Sequence, residues 1–217
     1  MKYLAANNSK VWRLRAQGYP LGWCMSPAGF RRPVKAGHDP MPFALDNGLF
    51  HPQNEPPRPQ SAIEDFYAML TKCRAGNWMP IFAVAPDVPY DGDRSIELSR
   101  KHARHMHQDW PGLPIALAVQ DGMDRCVLDG PWSAVFVGGS TAWKWSTMAE
   151  WVSEAHARGM WAHVARVNTK HQIRRCIDAG ADSSDGTGMF RGDKTQIRGI
   201  LESLVEGHLF LDRSNPC

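Results

Sequence analysis

The chain has no apolar run of membrane-spanning length, no cysteine pair at CxxC spacing, and no GxGxxG after its first apolar strand. Each absence excludes something. Without a long apolar run, no membrane-crossing helix is expected. The five cysteines (Cys24, Cys73, Cys126, Cys176 and Cys217) are scattered and odd in number. That points away from a disulfide framework or a zinc knuckle, and it suits a reducing compartment. The missing glycine fingerprint weakens a dinucleotide-binding open sheet. Excess charge of one sign is also scarce: the net charge of +3 permits a polyanionic partner without demanding one. The opening stretch, Met1 to Arg15, turns polar too early for a signal peptide, so a cytoplasmic location is expected.

What is present is an ordinary globular composition, 43% hydrophobic and 22% charged over 217 residues, which reads as one domain over 1–217 able to bury a full core. Nine tryptophans are many, and Trp often lines ligand grooves and base-stacking surfaces. Apolar runs recur at 21–25, 43–48, 80–85, 114–119, 134–137, 161–165 and 181–184. Most are followed by amphipathic helical stretches, at 61–76, 94–109, 146–158, 170–179 and 193–206. Residues 1–19 read as a basic lead-in with helical character, and Ser61 to Glu64 as a capping box. A Pro-rich loop over 51–60 reads as a lid or an interaction loop. The runs are continuously apolar, as in strands buried on both faces of a parallel sheet. Seven or eight such units predict an α/β fold, a compact TIM-like (β/α)8 barrel, complete or short of a unit. A doubly wound open sheet is the alternative.

Each run ends in a functional group: Asp46, Asp87, Gln120, Gly138 with Gly139, Arg166 and Asp185. In a β/α barrel those strand ends face one mouth. Taken singly, each group also has a structural explanation. Asp46 or Asp185 next to glycine can be a turn, Asp87 a helix cap, Gln120 a partner for a buried carbonyl, and Arg166 a surface charge. Their shared position carries more weight than any one of them. An acid and an amide together match the donor and acceptor edge of a guanine-like base. Two further carboxylates suit displacement at a glycosidic carbon. Glycine pairs offer backbone N–H groups with no side chain in the way.

The motifs Phe43-Ala44-Leu45-Asp46-Asn47-Gly48-Leu49-Phe50, Ala83-Val84-Ala85-Pro86-Asp87-Val88 and Val119-Gln120-Asp121-Gly122 carry a resemblance. It continues through Phe136-Val137-Gly138-Gly139-Ser140-Thr141-Ala142-Trp143-Lys144, His163-Val164-Ala165-Arg166-Val167-Asn168 and Asp182-Ser183-Ser184-Asp185-Gly186-Thr187. In this order they resemble the tRNA-guanine transglycosylase superfamily, and more closely its short phage branch, the DpdA-type DNA-guanine transglycosylases. The likeness spans roughly residues 20 to 200. It implies exchange of guanine in DNA for a free 7-deazaguanine base such as preQ0, with no cofactor. Asp185 resembles the nucleophile and Asp46 the acid–base residue. Asp87, Gln120, Gly138 and Gly139 resemble the groups that read the base. Asp182, three residues earlier, is the rival nucleophile.

The tRNA enzymes carry a zinc site on CxCxxC and a later His. This chain keeps only Cys176 and Cys217 in that half, so no metal is expected and a tRNA substrate is disfavoured. His102, His105 and His107 sit on a polar helix and read as a solvated face. Trp143, Trp145 and Lys144 are candidates for stacking on and pairing with a flipped or single-stranded nucleic acid, against helix packing. Arg31, Arg32, Lys35, Arg166 and Lys170 are candidates for phosphate contacts. A base-excising glycosylase and a non-catalytic nucleic-acid-binding phage protein stay open.

Overall fold

The computed structural model describes residues 1–7, 9–50 and 59–213. Eight parallel strands close into a barrel in sequence order: β1 (Lys2–Ala5), β2 (Leu21–Met25), β3 (Phe43–Leu45), β4 (Ala83–Val84), β5 (Ile115–Val119), β6 (Ala134–Val137), β7 (Trp161–Val164) and β8 (Ser183–Gly186). Around them run α1 (Ser9–Ala16), α2 (Pro59–Ala75), α3 (Gly92–Asp109), α4 (Thr141–Ala157), α5 (Lys170–Asp178), the short α6 (Gly188–Arg191) and α7 (Lys194–Arg213). The open-sheet alternative is thereby excluded. Two crossovers lack an α-helix among the described residues. Only short 3-10 turns, Pro27–Gly29 and Arg125–Leu128, punctuate the paths from β2 to β3 and from β5 to β6. Those economies fit a full barrel into a short chain.

Alternation along each strand sorts side chains between lumen and shell. On β5, Ala116 and Ala118 point into the lumen, where they meet Leu4, Ala44, Phe82, Val84 and Ala134. Ile115, Leu117 and Val119 point outward under the helices, in the larger core with Phe66, Met106, Trp151 and Val152. The alanines leave room for three rings in the lumen. Phe82 meets Phe136 edge-on at 6.3 Å, and His163 lies stacked on Phe136 at 4.8 Å.

Several sequence expectations shift. The lead-in holds a complete strand. β1 pairs with β2 on one side and with β8 on the other, Lys2 opposite Ser183 and Leu4 opposite Asp185, and so closes the barrel. Ser61 lies inside α2, which begins at Pro59, so it is not a cap. A capping box does occur at α5, where Thr169 accepts from the Gln172 backbone and the Gln172 side chain accepts in return from Thr169. Asp91, not Asp87, caps α3, accepting from Arg94 N at 3.1 Å. Of the loop expected over 51–60, residues 51–58 lie outside the described residues. No described helix is long and apolar enough to cross a membrane.

Candidate active site

The C-terminal ends of the strands surround a cavity of about 190 Å³ lined by Cys24, Asp46, Asp87, Gln120, Gly138, Gly139, Arg166 and Asp185, among others. An apolar cavity of roughly 150 Å³ admits one aromatic ring, so this space suits a single small ring system. A larger groove lies at the other end of the barrel, against Trp12, Tyr19, Trp161 and Asp182, and holds none of these groups.

One wall is a closed polar network. Gln120 Oε1 accepts from the backbone N–H of Gly139 at 2.8 Å and of Tyr90 at 3.1 Å. Two donors on the oxygen fix which way the amide points, so Nε2 faces Asp87 and donates to Oδ2 at 2.6 Å. Asn47 Nδ2 donates to the other Asp87 oxygen at 2.7 Å and to Ala85 O at 3.0 Å, while its own oxygen takes the Leu49 N–H at 2.9 Å. Burial pushes the Asp87 carboxyl up, and the hydrogen bonds from Asn47 and Gln120 oppose that rise. Asp121 grips the next turn, accepting from Ser140 N and Oγ, both at 2.6 Å. Gly139 there has φ +70°, and a β-carbon would run into the Trp143 ring and the Asp121 carboxylate.

Asp46 and Asp185 line the same cavity. Burial, then the charges of Asp87 and Asp185, push the Asp46 carboxyl up to about 7, against hydrogen bonds from Gly48 and Asn47 backbone. Asp185 Oδ1 accepts from His163 Nε2 at 3.0 Å and from Arg166 N at 3.1 Å. Cys24 lines the same cavity. Burial, with Asp185 and Asp46 nearby, holds its thiol well above the ordinary range, so it stays protonated.

Arg166 adopts φ +56°, uncommon for a residue with a side chain. That turn swings its guanidinium across the mouth. It donates to Gly139 O and to Tyr90 Oη (3.2 Å for the latter), and it lies over the rings of Phe50 and Tyr90 at 5.1 and 5.8 Å. Tyr90 itself has φ +66°. Two strained residues thus bridge the opening.

Other nucleic-acid candidates do not gather at this mouth. Lys144 is buried, and its Nζ donates to Ala165 O at 2.5 Å and reaches Arg166 O at 3.5 Å. Burial and Arg166 lower its ammonium to about 8. A side chain enclosed in this way cannot contact a bound strand; it anchors the end of β7. Trp143 packs beside Gly139 and Trp151 on the outside of the barrel, its ring 6.1 Å from that of Trp151. Trp145 lies between Lys144 and Arg175. Arg32 covers the ring of Trp78, in the loop that leads into β4 at the far end of the barrel, and exposed Arg31 donates to its own neighbour, Phe30 O. Neither arginine lines the cavity, because the helix-free path from β2 carries them away from the mouth. Lys35 is exposed, and Lys170 pairs loosely with Glu202 at 3.9 Å. His102 is not solvated as expected. It is buried, with Tyr67 Oη 2.6 Å from Nδ1. Asp182 precedes β8 at the far end, joined to His156 Nε2 at 3.0 Å and Ala162 N at 2.8 Å.

Three groups escaped the sequence reading: Asn47, Tyr90 and His163. Asn47 sat inside a quoted motif as a turn residue. His163 had a signal, an imidazole on the same strand parity as Ala165 and hence in the lumen. Among the described residues, no group of three or more His, Cys, Asp or Glu side chains is placed to hold a metal ion.

No protein-family model and no curated protein matches the chain. Solved structures match by fold. A crystal structure of the BexX/CysO complex from Amycolatopsis orientalis superposes with a TM-score of 0.60 at 12% identity, covering 100% of this chain and 92% of that one. A cube-shaped protein cage designed by fusing symmetric oligomeric domains gives a TM-score of 0.50 at 12% identity over 98% of this chain and 74% of that one. At such identity the likeness establishes the barrel alone.

Proposed function

We propose that the protein is a base-exchanging transglycosylase that replaces guanine in DNA with a 7-deazaguanine. The observation that carries this reading is that Asp46 and Asp185 line the same small cavity as the Asp87–Gln120–Gly139 array. A wall of carboxylate, amide and backbone groups suits the edge of a purine-like base. The two remaining acids suit displacement at C1′.

The reaction runs in two halves. A carboxylate oxygen of Asp185 attacks C1′ of a flipped or single-stranded guanosine, the C1′–N9 bond breaks, and Asp46 gives its proton to the departing guanine. The 7-deazaguanine then enters the same space, Asp46 takes the proton from its N9, and N9 attacks C1′ as the aspartyl ester breaks. Two inversions give retention, and the proton returns to Asp46. The Asp185 charge contributes to the raised Asp46 pKa. Ester formation consumes that charge, so Asp46 becomes more acidic at the stage when it must act as a base. The Arg166–Tyr90 bridge limits water at the ester, which would otherwise leave an abasic site. Such an enzyme would act in the cytoplasm, in the host if phage-encoded.

The test is nucleoside mass spectrometry after incubation with DNA, or with tRNA, and a panel of 7-deazaguanine bases. A 7-deaza-deoxyguanosine in the DNA digest, absent with Asp185→Ala, supports the reading. Guanine release without incorporation would make the protein a glycosylase, and modification of tRNA alone would move it to the tRNA branch. Binding without chemistry would leave a nucleic-acid-binding role.

A further inference from the structure

A chain of hydrogen bonds runs through the barrel lumen up to Asp185. Trp161 Nε1 lies 2.8 Å from Ser183 Oγ, Ser183 Oγ lies 2.8 Å from His163 Nδ1, and His163 Nε2 lies 3.0 Å from Asp185 Oδ1. The indole can only donate, so Ser183 Oγ accepts from Trp161. At the other end a carboxylate can only accept, so His163 Nε2 carries a hydrogen. In the neutral ring Nδ1 is then the acceptor, and the Ser183 hydroxyl hydrogen points to it. Every group in the chain is used. The ring is fully buried, held flat on Phe136 at 4.8 Å and edged by Phe82 at 5.2 Å, so it cannot swing away.

The Arg166 N–H meets the same Asp185 oxygen, Oδ1, at 3.1 Å. Oδ2 has no hydrogen-bond partner among the described residues, on a carboxylate that lines the cavity. We infer that His163 is a positioning residue which, with the Arg166 amide, holds Asp185 Oδ1 and leaves Oδ2 as the attacking oxygen. The inference rests on the transglycosylase reading for its chemistry and on the lumen chain for its geometry. The acid is aimed from inside the barrel. Its free oxygen keeps the lone pair that forms the bond to C1′.

Two variants separate orientation from folding. His163→Gln keeps an N–H donor that reaches Asp185, whereas His163→Leu removes it. A misplaced reacting group costs on the order of 10²-fold. The Leu variant should therefore lose about that much in kcat, with KM for the free base changed by no more than about threefold, and the Gln variant should recover roughly tenfold of the loss. Equal melting temperatures for the two variants, with unequal kcat, would support positioning. Leu exchange within about twofold of wild type, or equal losses in both variants, would overturn it. If the Leu variant does not fold, Ser183→Ala takes its place. It removes the hydroxyl that meets Nδ1 and should lower kcat in the same way.

A second measurement does not need activity. Nitrogen NMR of labelled protein should show a hydrogen on His163 Nε2, and Asp185→Asn should shift that resonance. A hydrogen on Nδ1 alone would overturn the inference. If wild type exchanged no base at all, the transglycosylase reading would fall, and this resonance would still decide the donor.

Discussion

Asp182 and Asp185 stand three residues apart at opposite ends of β8, and each is held by one histidine and one backbone N–H. At the far end, His156 and Ala162 N both bind Asp182 Oδ2. At the mouth, His163 and Arg166 N both bind Asp185 Oδ1. The partners match, but the surroundings differ. The His156–Asp182 pair is partly open to water, where such pairs contribute little. The His163 ring is fully enclosed, and Asp185 lines a cavity beside two further acids. Similar bonding therefore gives a tie at one end of the strand and an aimed carboxylate at the other. The depth of the histidine and what the free oxygen faces make the difference.

The largest expected break of this contrast is Asp185→Ala. Exchange should fall below detection in the nucleoside assay, while the melting temperature moves only a few degrees. Retained exchange would place the nucleophile elsewhere. Next is Asp46→Asn, which removes the proton carrier and should slow exchange by about 10²- to 10⁴-fold. The same residue sets two pH dependences. In the proposed reaction the resting state needs Asp46 protonated, so kcat/KM for DNA should decline as pH rises through about 7. The folded chain also keeps this proton up to about 7, whereas the unfolded chain releases it near 4. Between those values the folded state binds more protons, so stability should fall with rising pH, by on the order of 4 kcal/mol. Denaturant titrations at pH 5 and 8 should show that slope in wild type and a flatter one in Asp46→Asn.

Gly139→Ala comes third. It forces a side chain onto a left-handed backbone and into Trp143 and Asp121, with a cost of about 1–3 kcal/mol. Binding of a free 7-deazaguanine, followed by calorimetry, should weaken with it, because Gly139 N holds Gln120. The smallest effect belongs to Asp182→Asn. It should lower stability by about 1 kcal/mol or less and leave exchange intact. A large loss of exchange there would erase the distinction between the two ends.

The barrel was legible because most of its strands are continuous apolar runs ending in polar or glycine residues. β1 was not, since Tyr3-Leu4-Ala5 is too short a run to stand out beside a basic helix. The acids at the mouth were legible because each closes a strand. Lys144 and Arg32 misled for a common reason. A cation's role depends on what lies opposite it, and the carbonyls that end β7 and the Trp78 ring come from distant parts of the chain. His163 lay inside an apolar run and read as strand filling. Only the register that sets it between Phe136 and Ser183 reveals its task.

The seam between β1 and β8 has a consequence for biosynthesis. Tyr3, on the first strand, donates to Val167 O, 164 positions away, and Leu4 pairs with Asp185. Contacts of such separation close late in folding. A nascent chain with seven strands out of the ribosome has no eighth strand to hold the proposed nucleophile. The proposed nucleophile is therefore placed in the same step that seals the barrel, so truncated or half-folded copies would carry no competent site.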